Sequence, residues 1–600
     1  MIPFLTGGQM KVCDRYAIEK KGIPSRVLME RAARAAVEAL FTEGFDLSCA
    51  TVAVGSGNNG GDGLAMARML RESGYDVRVV FAGTLREDGT PDPSHMSEGF
   101  REQLALLPET VAFLTEYPTD NRTSAIVDAI FGIGVSRPVT GRGAELIKKI
   151  NASGVRTLSV DLPSGIHSDT GAVMGCAVRA SVTVTIDQYK AGLLLYPGKE
   201  YAGKVLCRDI GIGTDGLAHM GDVLPTPSGQ VPAKNDRVAC PERVLTHDAL
   251  SPRPGQALTK DDLAALLPAR PARSHKGTFG RVLVVAGSRA MAGAAYFAAK
   301  AAYRTGAGLV EILTPECNRI ILQTLIPEAV LTVYEEETPD IPRIRAAASR
   351  ADAAVIGPGL GTGDLAMTVL RAVSGTLTVP AVLDADGLNL VAAHPELRDT
   401  LQVPLIFTPH PAEASRLLGV PVGDLLADLP GSALAIAHRF GVTCVLKDAA
   451  TVTATPDGDL WINQSGNNGM ATGGSGDVLS GILGGLLATA RHTIDNLSST
   501  SPSGTGVGSH IGAGTNIGAG FDTGVGANVR VGSNTGADTN IGAGAADQAQ
   551  SSRGIGLIAA LGVYLHGLAG DAAAKKLGEA SVMASDIAGG IADVLKNVRK

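Results

Sequence analysis

Gly473-Gly474-Ser475-Gly476-Asp477 is a loop of small residues that ends in an acid and runs into the apolar, helix-spaced stretch 478–490. Glycines let backbone N–H groups turn toward an anion and approach it closely, and a helix N-terminus adds partial positive charge. An Asp at that point stands where phosphoryl transfer needs a base beside the attacking oxygen. The plain alternative is an Asp that caps a helix after a flexible loop. Its company favours chemistry: Met470-Ala471-Thr472 precedes the loop, and Lys447-Asp448 follows the apolar strand 442–446. His410 lies between two prolines in Thr408-Pro409-His410-Pro411-Ala412-Glu413, after another apolar run, which places it at the carboxyl edge of a sheet. A lone His is usually structural, but Pro-His-Pro-x-Glu in this setting points to a site.

The first half carries its own set. Asn58-Asn59-Gly60-Gly61-Asp62-Gly63 stands between a strand and a helix, so its amides face a concave anion site. It is not G-x-G-x-x-G, so a standard dinucleotide fold is not the best reading. Paired Asn oxygens suit a hard monovalent cation alongside carboxylate and carbonyl oxygens. Asp128 ends one strand and precedes Gly132-Ile133-Gly134-Val135-Ser136-Arg137-Pro138; Asp161-Leu162-Pro163-Ser164-Gly165 ends the next. Either acid alone could simply cap a turn, whereas two at adjacent strand ends beside an Asn-rich loop suggest a site. Lys190, in Tyr189-Lys190-Ala191-Gly192, could belong to a functional Lys-x-Gly element, but a solvated surface lysine is expected over that.

Taken together, the Gly-Ser-Gly-Asp loop resembles the ribokinase-like superfamily. His275-Lys276-Gly277, Gly357-Pro358-Gly359-Leu360-Gly361, the His410 loop and the 473–477 loop follow the order seen in NAD(P)H-hydrate dehydratases. The Asn58 loop resembles NAD(P)H-hydrate epimerases. The whole therefore resembles the fused bacterial NAD(P)H-hydrate repair enzymes, everywhere except about 493–552. That resemblance implies an epimerase that interconverts the R and S hydrates of NADH or NADPH at C6. It also implies a nucleotide-dependent dehydratase that restores NAD(P)H through phosphorylation and phosphate elimination. In the first half it implies potassium held by Asn59, Asp128 and Ser164. The hydrated nucleotide would be bound by Asn58, Asn59, Gly60, Gly61, Asp62 and 132–138, with Asp161 at the reacting ring. In the second half it implies Asp477 as the catalytic acid–base group, with Gly308, Gly361 and His410 on the hydrate. Lys447, Asp448, Ala449, Ala450, Thr451 and Gly476 would hold ADP or ATP with magnesium. Ala412 and Asn468 replace a Gly and a Pro usual in the family.

These groups need a scaffold to hold them. Six hundred residues exceed one core, and 45% hydrophobic with 4% aromatic residues and 76 glycines suits Ala/Gly/Val-rich α/β domains. Apolar strands are expected at 50–54, 77–82, 124–129, 155–160 and 181–186, with helices at 27–41, 64–72 and 144–150. Short apolar strands alternating with helices imply a mostly parallel sheet covered on both faces. A second series follows: strands 281–286, 309–313, 353–356, 381–383, 405–407 and 442–446, with a helix at 292–304 and another after Gly476. The fold expected is a Rossmann-like three-layer sandwich followed by a ribokinase-like one. Residues 1–220 form the epimerase domain, 221–252 a linker and 253–600 the dehydratase domain. A Gly-rich insertion at 493–552 contains seven hexads from Thr505; a flexible, dispensable loop is expected over a β-helix.

Bulk properties exclude several classes. A net charge of −7 gives no electrostatic footprint for nucleic acid or an anionic membrane. No signal peptide or run of about 18 uncharged apolar residues is read. Seven cysteines without pairing motifs suggest buried thiols in a reducing compartment. A cytoplasmic homo-oligomer is expected. The competing readings are a vitamin-alcohol kinase of the ribokinase superfamily, which would lack the His410 and Asn58 loops, and a nucleotide-sensing scaffold, which would not need Asp477, Lys447 or Asp161.

Overall fold

The computed structural model describes residues 1–219, 253–490 and 541–598. The expected linker and all but the last hexad lie outside these residues. The last hexad, 541–546, forms the first turns of a helix, Ile541–Leu577, and not a β-helix coil.

The first half supplies β1 (Ile2–Leu5), β2 (Ala50–Val54), β3 (Val77–Phe81), β4 (Ala112–Leu114), β5 (Ala125–Ala129), β6 (Thr157–Val160), β7 (Val182–Ile186), β8 (Tyr189–Lys190) and β9 (Lys204–Arg208). Seven of them form a sheet in the order β4-β3-β2-β5-β6-β7-β9, parallel throughout. Helices cover both faces, so β2, β3, β5 and β7 are buried at every position, which explains why they are mostly apolar. The strand order reverses between β2 and β5, and ligands in such sheets bind at the carboxyl ends beside that reversal.

The second half supplies β10 (Gly255–Ala257), β11 (Arg281–Val285), β12 (Leu309–Pro315), β13 (Val330–Tyr334), β14 (Ala353–Ile356), β15 (Ala381–Leu383), β16 (Leu405–Phe407), β17 (Thr443–Leu446), β18 (Val452–Ala454) and β19 (Leu460–Ile462). Its sheet runs β13-β12-β11-β14-β15-β16-β17-β18-β19-β10-β1-β8. It is parallel from β13 to β17 and antiparallel through β17-β18-β19. The architecture is thus two layered α/β units, Rossmann-like then ribokinase-like.

The last three strands tie the halves together. β1 lies antiparallel to β10 and parallel to β8, so two strands from the first half extend the second half's sheet. Phe4, Ala191, Leu194 and Leu195 belong to the same core as Leu283, Leu383 and Phe407. Among the helices of the second half, Ser475–Ala490 packs against Ala292–Thr305 and the Ile541–Leu577 helix. Within the latter, Ser552–Leu577 is long and apolar enough to cross a membrane, but 78% of its most apolar window is buried inside the molecule, the position of a core helix. Of the described cysteines, Cys13, Cys49 and Cys444 are buried, as expected, whereas Cys317 is exposed.

Candidate functional site

At the β2/β5 reversal lies a cavity of about 820 Å³ lined by Asn58, Asn59, Asp62, 132–138, Asp161 and Lys190. The expected Asn-rich loop is not a loop. Helix Asn58–Glu72 begins at Asn58, with Gly57 extended at its N-cap, so the paired Asn residues form the first turn and its free amides face the cavity. Gly60 and Gly61 are buried beneath it. A Cβ on Gly60 would stand 2.1 Å from the Gly55 carbonyl oxygen, and one on Gly61 2.8 Å from Met29 Cε, so both are explained by helix packing. Gly132 faces the pocket, its Cβ position 3.3 Å from Asn59 Oδ1 and 3.2 Å from Asp161 Oδ2.

Asp128 lies fully buried under this floor. It accepts from Ser159 Oγ at 2.7 Å, Ser164 Oγ at 2.5 Å and the Ser164 amide at 2.9 Å. Burial pushes its carboxyl up despite those donors, with the Ser164 hydroxyl the largest opposing influence. Asn59 Nδ2 is buried without a partner. Desolvation holds Asp62 well above the usual carboxylate range, with Asp161 and Asp14 adding repulsion.

Lys190 overturns the expectation of a surface residue. It is 1% exposed, and its Nζ lies 2.5 Å from Asp161 Oδ1. Asp161 itself has φ +68, a left-handed conformation rare for a residue with a Cβ.

The second constellation gathers at the carboxyl ends of β14 to β17. Asp477 is half-buried in the first turn of helix Ser475–Ala490. Burial pushes its carboxyl up to about 7, with Asp384 and Asp386 adding and Lys447 opposing. Lys447 Nζ is 2.8 Å from Asp384 Oδ1, and Ser480 Oγ donates to Asp384 Oδ2 at 2.5 Å. Burial alone would push Lys447 down and Asp384 up, but their pairing outweighs it in both. The Gly476 Cβ position lies 3.5 Å from Lys447 Nζ, so the glycine loop, the lysine and the acids meet.

His410 is about half exposed and caps helix Pro411–Leu418, its Nδ1 accepting the Ala412 amide at 3.1 Å. Ala412 sits in that helix's first turn, a place that suits Ala. Asn468 lies in a short 3-10 turn capped by Asn467. Gly361 has φ +83 with open space around it, and its amide donates to Asp386 at 2.8 Å. Gly308 differs: a Cβ there would stand 1.7 Å from the Lys276 carbonyl oxygen, so the chain itself demands the glycine. After Lys447, Asp448 and Ala449 are exposed, Ala450 is buried, and Thr451 Oγ1 closes the turn onto the Asp448 carbonyl at 3.1 Å.

Sequence reasoning missed Asp384, Asp386, Ser480, His566 and the role of Lys190. The first two were findable: Asp384-Ala385-Asp386 follows an apolar strand as Asp128 and Asp161 do. Ala385 even shares the positive φ, at +48. His566, which meets Ser475 Oγ at 3.3 Å, arrives from a helix some 90 residues on and carried no local signal. Burial pushes its pKa down to about 4, so it is neutral.

Fold and sites define a two-centre α/β enzyme, one centre at each sheet's strand reversal or carboxyl edge. Residues 282–504 match the NAD(P)H-hydrate dehydratase family model, and residues 25–192 match that of the YjeF-related protein N-terminus. The bifunctional NAD(P)H-hydrate repair enzyme of Moorella thermoacetica is 32% identical over 99% of this chain and 97% of its own. That of Coxiella burnetii is 35% identical over 84% and 92%. Among solved structures, the ADP/ATP-dependent NAD(P)H-hydrate dehydratase of Bacillus subtilis is 27% identical, covering 57% of this chain and 99% of its own, with a TM-score of 0.42. The chain belongs to the bifunctional NAD(P)H-hydrate repair enzymes, an epimerase joined to a dehydratase. Its relatives and family models do not support the vitamin-alcohol kinase.

Proposed function

We propose that the first centre epimerises hydrated NADH and NADPH at C6 and that the second dehydrates the S hydrate with ADP or ATP as phosphoryl donor. Residues 1–220 and 253–600 are the two halves in this reading, with 221–252 between them and 493–552 inserted in the second. In the first cavity the amides of the first turn from Asn58 and the 132–138 loop bind the nucleotide's phosphates. Asp161 is the proton-transfer group at the ring. Asn59, Asp128 and Ser164 would hold potassium: the donor set is all oxygen, and the unpartnered amide of Asn59 can turn its Oδ1 toward a cation. Such an ion would supply positive charge beneath the bound phosphates.

In the second centre the hydrate's hydroxyl is a poor leaving group, and its phosphate ester is a good one. Asp477 takes the proton from that hydroxyl as it attacks the donor's terminal phosphorus. Lys447 and the amides of Gly474 and Gly476 steady the transferred phosphoryl group. The ring nitrogen's lone pair then expels phosphate from C6, and loss of a proton from C5 to water restores the reduced nicotinamide. Gly361 and His410 flank the hydrate, and 448–451 the nucleotide. Among the described residues no group of three His, Cys, Asp or Glu is gathered to hold a metal, which fits magnesium carried in on the nucleotide's phosphates.

The observation that carries this reading is Asp477 at a helix N-terminus beside the Lys447–Asp384 pair. The test is an absorbance assay of hydrated NADH with magnesium and ADP or ATP. Return of the reduced-nicotinamide band only with nucleotide supports it; return at the same rate without nucleotide refutes it. A homo-oligomer fits the exposed Ile320, Ile321 and Leu325 beside edge strand β13 and Val330 at its start, and light scattering in solution decides it; a cytoplasmic location belongs to the same reading.

A further inference from the structure

An ammonium group buried without partners costs far more than folding can spare, so a lysine 1% exposed must have compensation. Lys190 Nζ donates to the Ile186 carbonyl at 2.6 Å and to Thr185 Oγ1 at 3.2 Å, and meets Asp161 Oδ1 at 2.5 Å. The first two partners anchor its tip to the end of β7. The third lies in the wall of the epimerase cavity, where Asp161 keeps 13% of its side chain open. The other charged groups around that cavity are Asp62, Asp14, Lys11 and Arg137. Without Lys190, Asp161 would face Asp62 with no cation in contact with it.

The mount of this lysine is unusual. Lys190 ends β8, paired not to the epimerase sheet but to Leu5 of β1, which in turn pairs with β10 of the dehydratase sheet. We propose that Lys190 is a positioning residue of the epimerase, holding the Asp161 carboxylate aimed into the cavity from a strand that the other half's sheet fixes in place. The inference rests on the reading of Asp161 as the proton-transfer group. The contact is a charge-assisted one, and two further bonds to the same ammonium fix where its charge sits beside the carboxylate. Asp161 occupies a left-handed backbone conformation, so its direction depends on such contacts.

The test uses the full chain and three variants, Lys190→Met, Lys190→Arg and Asp161→Asn. Interconversion of the R and S hydrates is followed by chromatography, and nucleotide-dependent dehydration serves as the internal measure of folding. Lys190→Met is expected to lower epimerase kcat on the order of 10²-fold with KM little changed. Dehydration is expected to be kept. Lys190→Arg, which keeps the charge, is expected to recover most of the rate. A Lys190→Met enzyme with the parent's kcat would overturn the proposal. So would equal loss of both activities with no recovery in Lys190→Arg, which is the signature of a purely structural residue. Asp161→Asn separates the two readings: if it still epimerises, the assignment of Asp161 itself fails whatever Lys190 does.

Discussion

The Asp477 carboxyl sits near neutrality because burial and the neighbouring Asp384 disfavour its charge, while Lys447 favours it. A general base must be ionised to act, so dehydratase kcat/KM in free enzyme is expected to rise with pH through about 7. Lys447→Met removes the favouring cation, and its limb should lie at still higher pH; a limb that stays or falls contradicts the assignment. Asp477→Asn is expected to abolish dehydration, by about 10²-fold or more, with epimerisation unchanged. The stability sign is also fixed. A folded pKa above the unfolded value means that ionisation opposes folding, so stability falls as pH rises from about 4 to about 7. Asn cannot ionise, so Asp477→Asn should melt no lower than the parent at pH 8, and a clear drop there would show that the carboxylate is structural. At this scale the sequence was most legible where glycines and acids cluster in one short segment, as at 473–477. Ser480 and Lys190 were hidden because each acts through a partner at least 29 residues away in sequence.

Elements rather than residues decide where the free amides of the Asn58 turn point. Helix Asn58–Glu72 can bring its first turn to the cavity only because Gly60 lets it ride against the Gly55 carbonyl. Gly60→Ala would place a Cβ 2.1 Å from that backbone oxygen, which no side-chain movement relieves. A destabilisation of about 1–3 kcal/mol is expected, read as a fall in melting temperature together with weakened epimerisation. Gly134→Ala is the control: it lines the same cavity, but nothing lies within 4 Å of its Cβ position. It should melt like the parent and change only KM, and equal melting of both variants would contradict the packing argument. The long elements were legible because buried parallel strands and amphipathic helices each impose a period over many residues. The start of this helix was not, since Asn and Gly are poor helix formers and only docking against β2 commits them.

The whole molecule is built on a sheet that does not respect the division into halves. From β17, whose end carries Lys447, the order passes through β18, β19, β10 and β1 to β8, whose end carries Lys190. Strands of two to four residues, paired across about 185 positions (Phe4 with Tyr189) and about 255 (Ile2 with Ala257), leave no periodicity to read, and that is why this joint was invisible in the sequence. Side chains reinforce it: Gln464 Nε2 donates to the Leu194 carbonyl at 3.0 Å, and the Met1 ammonium meets Asp262 at 2.8 Å. Phe4 is the keystone, 1% exposed, with its ring laid over Gly255, where a Cβ would stand 2.1 Å from Cζ. Domains that share a core and a sheet should unfold together, so calorimetry of the intact chain is expected to show one transition. Phe4→Ala removes about 3–5 kcal/mol of burial at the joint itself. It should split that transition in two and lower epimerisation more than dehydration, because β8 and Lys190 hang from β1 while Asp477 and Lys447 do not. Two transitions already present in the parent, with midpoints indifferent to Phe4→Ala, would mean that the halves fold independently and that the shared sheet carries no coupling.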